Sequence, residues 1–445
     1  MTGLAPLQWE FSRKLAALTD EVEAWISETK TSPNFQRHKS QVEAFAEMLG
    51  VIRKELERPL VDRADASDGA KVLLGLFRIW EFLRAKLAQR RETRFQSFLR
   101  IADEYAWLCY QPIYNHGMKE PPLVFLNGGY SPFTLVRRSR FQAESVPQEL
   151  IRGRALINAM ENLPFPVIGV PWYQYDNYAD LTVIGHEVGH SIEADLGLTQ
   201  PIKDAIAAAV HDEVRSRRWM GWGSEAFADL YGVMAGGVAF ISALANFLAH
   251  EDPCAETPGY PPVPLRVRFN IAALEGLNGS DRETATLRSR WEVAFPLPVD
   301  QVNYCGDLIP LVANLLDGIT NGKQKLRDWL PFKADHLRAH ALANDALASN
   351  FVKNEESFSA LAVAYRLGYD QIISGDSAKY DVLFPELHGL KDAMIGGMQL
   401  GLRSGELDHE RAPSKIASAR ERRAQAWLQN FRGSRSRKQP FIPDA

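Results

Sequence analysis

A stretch of twenty residues, LYGVMAGGVAFISALANFLA from Leu230 to Ala249, carries no charge and is about long enough to cross a bilayer. A chain containing it must either pass it through a membrane or enclose it, and enclosure takes a large helical core. Gly232, Gly236, Gly237 and Asn246 interrupt the segment, and the acidic stretch EAFAD stands directly before it. The pattern predicts two buried helices meeting near Gly236-Gly237 and a protein that does not span a membrane.

The rest of the chain can supply such a core. Its 445 residues exceed the size at which one core stops growing, so two or three structural units are expected. An apolar fraction of 46% with 24% charged residues is that of an ordinary folded protein. A net charge of -4 gives no general attraction to nucleic acid or to a membrane surface. Three separated cysteines, Cys109, Cys254 and Cys305, form neither a disulfide framework nor a thiolate metal site and suit a reducing cytoplasm. The charged N-terminus lacks the apolar stretch of a secretory signal, so the expected location is cytoplasmic.

Residues 1–118 place apolar side chains at three- and four-residue spacing, which predicts an N-terminal helical region. Within it, the polar run DRADASDG, Asp62 to Gly69, reads as a turn between two helices. From Pro121 the texture changes. PPLVFLNGGYSPFTLVRR has apolar runs on both sides of Asn127-Gly128-Gly129 and reads as strand, turn, strand, and FPVIGVPWY is a further strand candidate. Helices then dominate to about residue 410. The fold class is therefore mainly α with a small β-sheet (α+β): a unit over residues 119–410 behind the helical region, followed by a basic tail over 411–445, read as a solvated end.

GHEVGHSIE, residues 185–193, lies on a helix expected to begin near Asp180, as a cap, and to end at Gly197. His186 and His190, four residues apart, project from one face and can bind one tetrahedral ion, with Glu187 at the adjacent edge where a water would lie. This HExxH pattern is the helical signature of zinc hydrolases, in which the acid serves as general base. Glu193 and Leu196 stand where a metzincin would need glycine and histidine, so that class is excluded. Gluzincins take a glutamate from a later helix, often with an aspartate four residues on. WGSEAFADLYG supplies Glu225 and Asp229 at that spacing. Glu225 would complete a His2Glu zinc site with one position left open, and Asp229 can fix a ligand histidine's tautomer. His336 and His340 are also four apart but lack a following Glu, and read as an exposed helix face.

HEVGH, EAFADLYGVMAGGVAFISAL and YPPVPLRV together resemble the gluzincin-type zinc peptidases related to the CAAX prenyl endopeptidases and the HtpX-type heat-shock proteases, over roughly residues 165–275. The pattern of that group is HExxH, ExxxD and HPxxxxR[IV]. Tyr260 stands in place of the group's histidine, and Arg266 keeps the arginine's register six residues on. The resemblance implies a zincin-like catalytic domain, an oxyanion-stabilising role for Tyr260 and a substrate or structural contact for Arg266. Membrane members carry spanning helices between the motif and the glutamate, whereas the interval here is polar and amphipathic, which implies a soluble relative. In zinc peptidases generally the strand before the motif helix offers an edge to an extended peptide, and VIGVPW is the candidate. Trp172, Tyr173, Tyr175 and Tyr178 follow it and read as core or as pocket lining.

The expected function is a soluble zinc-dependent metallopeptidase, acting on protein or peptide substrates as an endopeptidase with Glu187 as general base. Two alternatives differ in class. One is a catalytically silent zincin-fold scaffold. The other is a proteolytic effector activated by a partner at the N-terminal helices.

Overall fold

A computed structural model describes residues 4–59, 62–117, 120–137, 163–249, 259–277, 282–330 and 332–398, with Glu421 and Gln425 singly. Apart from Glu421 and Gln425, the basic tail lies outside the described residues, as do Cys254 and the His336 side chain. Among the described residues the protein is mostly helical, 77%, with a three-stranded sheet and a two-stranded one, as a mainly α reading requires.

Four helices come first: α1 (Leu4–Thr31), α2 (Lys39–Leu56), α3 (Arg63–Ala88) and α4 (Thr93–Gly117). Three strands follow: β1 (Leu123–Asn127), β2 (Phe133–Leu135) and β3 (Val167–Pro171). Every residue of β1 and β3 is buried, the mark of strands covered on both faces. Because successive side chains point to opposite faces, the strands divide their residues between two cores. Leu123, Phe125, Leu135 and Val167 join the cluster built by α1 to α3, whereas Val124, Leu126, Ile168 and Val170 join a larger cluster with α4 and the later helices. The sheet is thus the wall between two cores. A cut at residue 118 would take α4 from the larger one and strip the cover from the other.

Two local expectations are corrected here. The run DRADASDG is not a turn, because α3 begins at Arg63 and includes Gly69, which packs against Phe11 and Leu56. Asp and Ser suit the first turns of a helix as well as a loop, so the polar run carried no unique signal. Nor do the strands flanking Asn127-Gly128-Gly129 form a hairpin. The sheet order is β1-β3-β2, with β3 parallel to β1 and antiparallel to β2. The Asn127 side-chain oxygen accepts the Gly129 amide and turns the chain away from β1. The uncharged β3 then fills the middle of the sheet, where Gly169 passes so close to Phe133 and Asn127 that a side chain would not fit.

As expected, the apolar segment folds into two buried helical pieces within Gly223–Leu248, a span whose most apolar window is 89% buried within the protein although its length and composition would suffice to cross a membrane. Gly237 breaks the helical path there with φ 56° and ψ -136°, close to the expected junction.

Candidate metal centre

The motif helix runs Ile184–Leu196 and ends on Gly197 at φ 67°, in the left-handed conformation expected for a helix stop. Its beginning differs from expectation. A 3-10 segment, Tyr178–Val183, leads into it, and Asn177 rather than Asp180 accepts a free amide, that of Ala179. Asp180 is occupied instead by the fully buried Arg366, 2.9 Å away, which also donates to Ser242 and pairs with Asp370. A half-buried carboxylate facing a fully buried guanidinium is held there by charge, a stronger demand than one capping bond.

The motif helix and the helix Gly223–Leu248 meet backbone to backbone at Gly189. A Cβ built there would lie 2.9 Å from Ala228 Cα and 3.1 Å from Tyr231 Cβ. This close approach places Glu225, in the first turn of its helix, opposite both motif histidines. Gly189→Ala is therefore expected to push the helices apart, costing about 1–3 kcal/mol of stability as over-packed cores do. Zinc affinity should fall with it. Thermal unfolding with and without zinc checks this, and unchanged behaviour would show that the helices can part freely.

His186, His190 and Glu225 each offer an atom within 4.8 Å of the others. The two Nε2 atoms are 3.2 Å apart, with the rings at right angles. Glu225 Oε2 lies 3.3 Å from His186 Nε2, and Oε1 lies 3.5 Å from His190 Nε2. Glu225 Oε2 is buried without a hydrogen bond. Two imidazole nitrogens and an orphaned carboxylate oxygen aimed at one another are what a divalent cation requires and what a plain hydrogen-bond network would avoid. The donor set fits zinc.

Behind this cluster, His186 Nδ1 lies 2.8 Å from Asp229 Oδ1. Asp229 in turn receives Arg266 Nε at 2.7 Å, Arg266 Nη2 at 2.8 Å and Asn270 Nδ2 at 3.0 Å. Arg266 and Asn270 stand one turn apart on the helix Val263–Gly276. Of the two readings of Arg266, substrate contact or structural contact, the geometry matches the structural one: it is buried and forked onto Asp229 through Nε and Nη2. Asn270 was not singled out from the sequence. Its signal was a polar residue four positions from Arg266 in a helix that also carries Arg268 and Glu275, a pattern too common to be read without the fold.

Charges in the centre are strongly coupled. Burial disfavours ionising Asp229, but Arg266 and His186 outweigh it and hold the carboxyl down at about 2. Burial also disfavours protonated His186, yet its contacts with Asp229 and Glu225 raise its pKa to about 10. His190 is shifted upward mainly by Glu225 against its own burial, and Glu225 is pulled well below the ordinary carboxylate range by both histidines against burial.

The sign of the pH dependence follows. A cation that binds His186 Nε2 must displace the proton held there below about pH 10, so zinc affinity should rise with pH through neutrality, with at least one proton released at pH 7. Titration calorimetry in buffers of different ionisation enthalpy counts that proton, and zero release would contradict the site. For protein stripped with a chelator, the His186 contribution to stability is present below the unfolded value near 6.5 and fades as pH rises through about 10.

Glu187 is buried beside these ligands, and its charge raises the pKa of both His190 and Tyr260. Its backbone oxygen accepts the Thr134 hydroxyl of β2 at 3.0 Å, which ties the sheet's outer strand to the motif helix. Tyr260 joins the same centre. It is 38% exposed, at the rim of the centre, and its ring lies over the Arg266 guanidinium at 4.9 Å; partial burial of the hydroxyl, followed by Glu225, drives its pKa upward, so it stays a hydrogen-bond donor at neutral pH.

The strand VIGVPW does not offer an edge, since β3 is paired on both sides; among the described residues the outer strand nearest the motif helix is β2. Of the aromatic residues after β3, Tyr178 is core and Tyr175 packs on Phe95, while Trp172 and Tyr173 are exposed. Tyr173 donates to the Tyr130 carbonyl.

No protein-family model, no curated protein and no solved structure matches this chain. What the centre does must be read from its own chemistry.

Proposed function

We propose that the protein is a soluble, zinc-dependent metallopeptidase with a zincin-like catalytic domain, acting in the cytoplasm on protein or peptide substrates. The observation that carries this reading is the convergence of His186, His190 and Glu225 on one point with Glu187 beside it. A structural metal site has no use for a general base. Zinc, when bound, supplies Lewis acidity toward a peptide carbonyl and an attacking water.

The chain's own groups would do the rest. Glu187 takes a proton from the water as its oxygen bonds to the carbonyl carbon, then delivers that proton to the leaving nitrogen as the C–N bond breaks. Asp229, backed by Arg266 and Asn270, holds the His186 ring. The outer strand β2 is the element to which an extended substrate would add, with main-chain hydrogen bonds supplying affinity. Tyr260 donates its hydroxyl hydrogen to the developing oxyanion. Tyr260→Phe should therefore lower kcat by about 10²–10³, the cost of one oxyanion donor, with KM little changed. An unchanged kcat would remove Tyr260 from the reaction.

Cleavage of an unfolded protein such as casein, followed by mass spectrometry of the fragments, tests the function. Loss of cleavage on chelation and its return with zinc are expected. Fragments that persist under chelation would come from a different activity.

A further inference from the structure

His190 has a distal nitrogen that Asp229 does not serve. His190 Nδ1 lies 3.4 Å from Ser224 Oγ, and Ser224 donates its hydroxyl hydrogen to Glu193 Oε2. Glu193 is buried three residues beyond His190, and its other oxygen accepts from Thr199 Oγ1 at 2.8 Å. The carboxylate has no hydrogen to give, so the serine proton can point only toward it. That leaves the serine oxygen presenting lone pairs to His190. A lone pair at Nδ1 would then face another lone pair, so the neutral ring keeps its hydrogen at Nδ1, and Nε2 is the nitrogen that offers a lone pair toward Glu225 and His186 when a cation displaces the proton there.

We propose that Glu193 is a positioning residue for the metal centre, acting through Ser224 to fix the tautomer and ring orientation of His190. The two motif histidines are thus set by different devices: His186 directly by the carboxylate of Asp229, His190 by a carboxylate relayed through a hydroxyl. The relay spans the helix contact, since Glu193 belongs to the motif helix and Ser224 immediately precedes the ligand Glu225 on the other. It therefore sets the His190 ring and the Glu225 backbone in one frame. This inference rests on the metal reading above.

Zinc affinity, measured by competition with a chromogenic chelator, tests it without reference to turnover. Glu193→Gln and Ser224→Ala should each weaken zinc binding by about 10–100-fold, the usual loss when a ligand's supporting partner is removed. Ser224→Thr keeps the hydroxyl and should restore most of it. The double variant should bind no more weakly than Ser224→Ala alone, because Glu193 reaches the metal only through that hydroxyl. Thr199→Ala removes the other hydrogen bond of Glu193 and should leave zinc affinity unchanged, which separates the relay from local folding. Additive losses in the double variant, or wild-type affinity in Glu193→Gln, would overturn the proposal. A wild-type protein that takes up no zinc would instead remove the metal reading and the relay with it.

Discussion

Glu187→Gln should lose peptide hydrolysis by about 10²–10⁴-fold, the range that a positioned general base contributes, while keeping its zinc. Glutamine has nearly the shape of glutamate, so the motif helix has no reason to move. The Thr134 hydroxyl bonds to the backbone oxygen of residue 187 and is untouched by the change. None of the ligand distances among His186, His190 and Glu225 involves the Glu187 side chain. What disappears is a group that can take the proton of water and hand it to a leaving amine. Zinc content and cleavage rate measured on the same preparation check this. Full activity in the variant would exclude Glu187 from the mechanism, and loss of zinc would show that its role is structural.

Removing Asp229 is expected to have the largest effect on stability. Asp229 and Arg266 are both buried, joined by two nitrogen–oxygen contacts, with Asn270 as a third donor to the carboxylate. Breaking one side of such a pair leaves an uncompensated buried charge and costs about 3–5 kcal/mol. Asp229→Leu should lower stability by that amount and weaken zinc binding by about 10–100-fold, since His186 Nδ1 loses its partner. Asp229→Leu combined with Arg266→Leu removes both charges, so stability should largely return while zinc affinity stays low. Denaturant unfolding alongside zinc competition resolves the two effects. If affinity recovered together with stability, Asp229 would matter only for folding.

The candidate ligand cluster was legible in one dimension because helical spacing puts residues four apart on one face. That rule pairs His186 with His190 and Glu225 with Asp229, while the choice of Glu225 as third ligand came from the gluzincin pattern the segment resembles. The long apolar segment was legible for the same reason, as its glycines marked the break that Gly237 makes. The sheet order was not legible. β1 and β2 are neighbours in the chain and carry a turn between them, but β3 separates them because α1 to α3 and the motif side cover opposite faces of the sheet. The cover from α1 to α3 comes from residues more than thirty positions away, and no local pattern reports it. Arg266 shows the same limit from another side. Register placed it near the centre, but its direction depends on Asp229, a carboxylate that would be buried unpaired without it. Ser224 and Glu193 stayed invisible because a serine beside a ligand, or a glutamate late in a helix, is ordinary until the two helices are seen to touch.

The most direct measurement is zinc per chain in purified wild-type protein, with His190→Ala prepared in parallel, both equilibrated with zinc and then freed of excess metal. About one zinc per wild-type chain, absent or much reduced in the variant, is the expected result for a His2Glu centre. A wild-type chain that retains no zinc, or a variant that retains as much as the wild type, would contradict it.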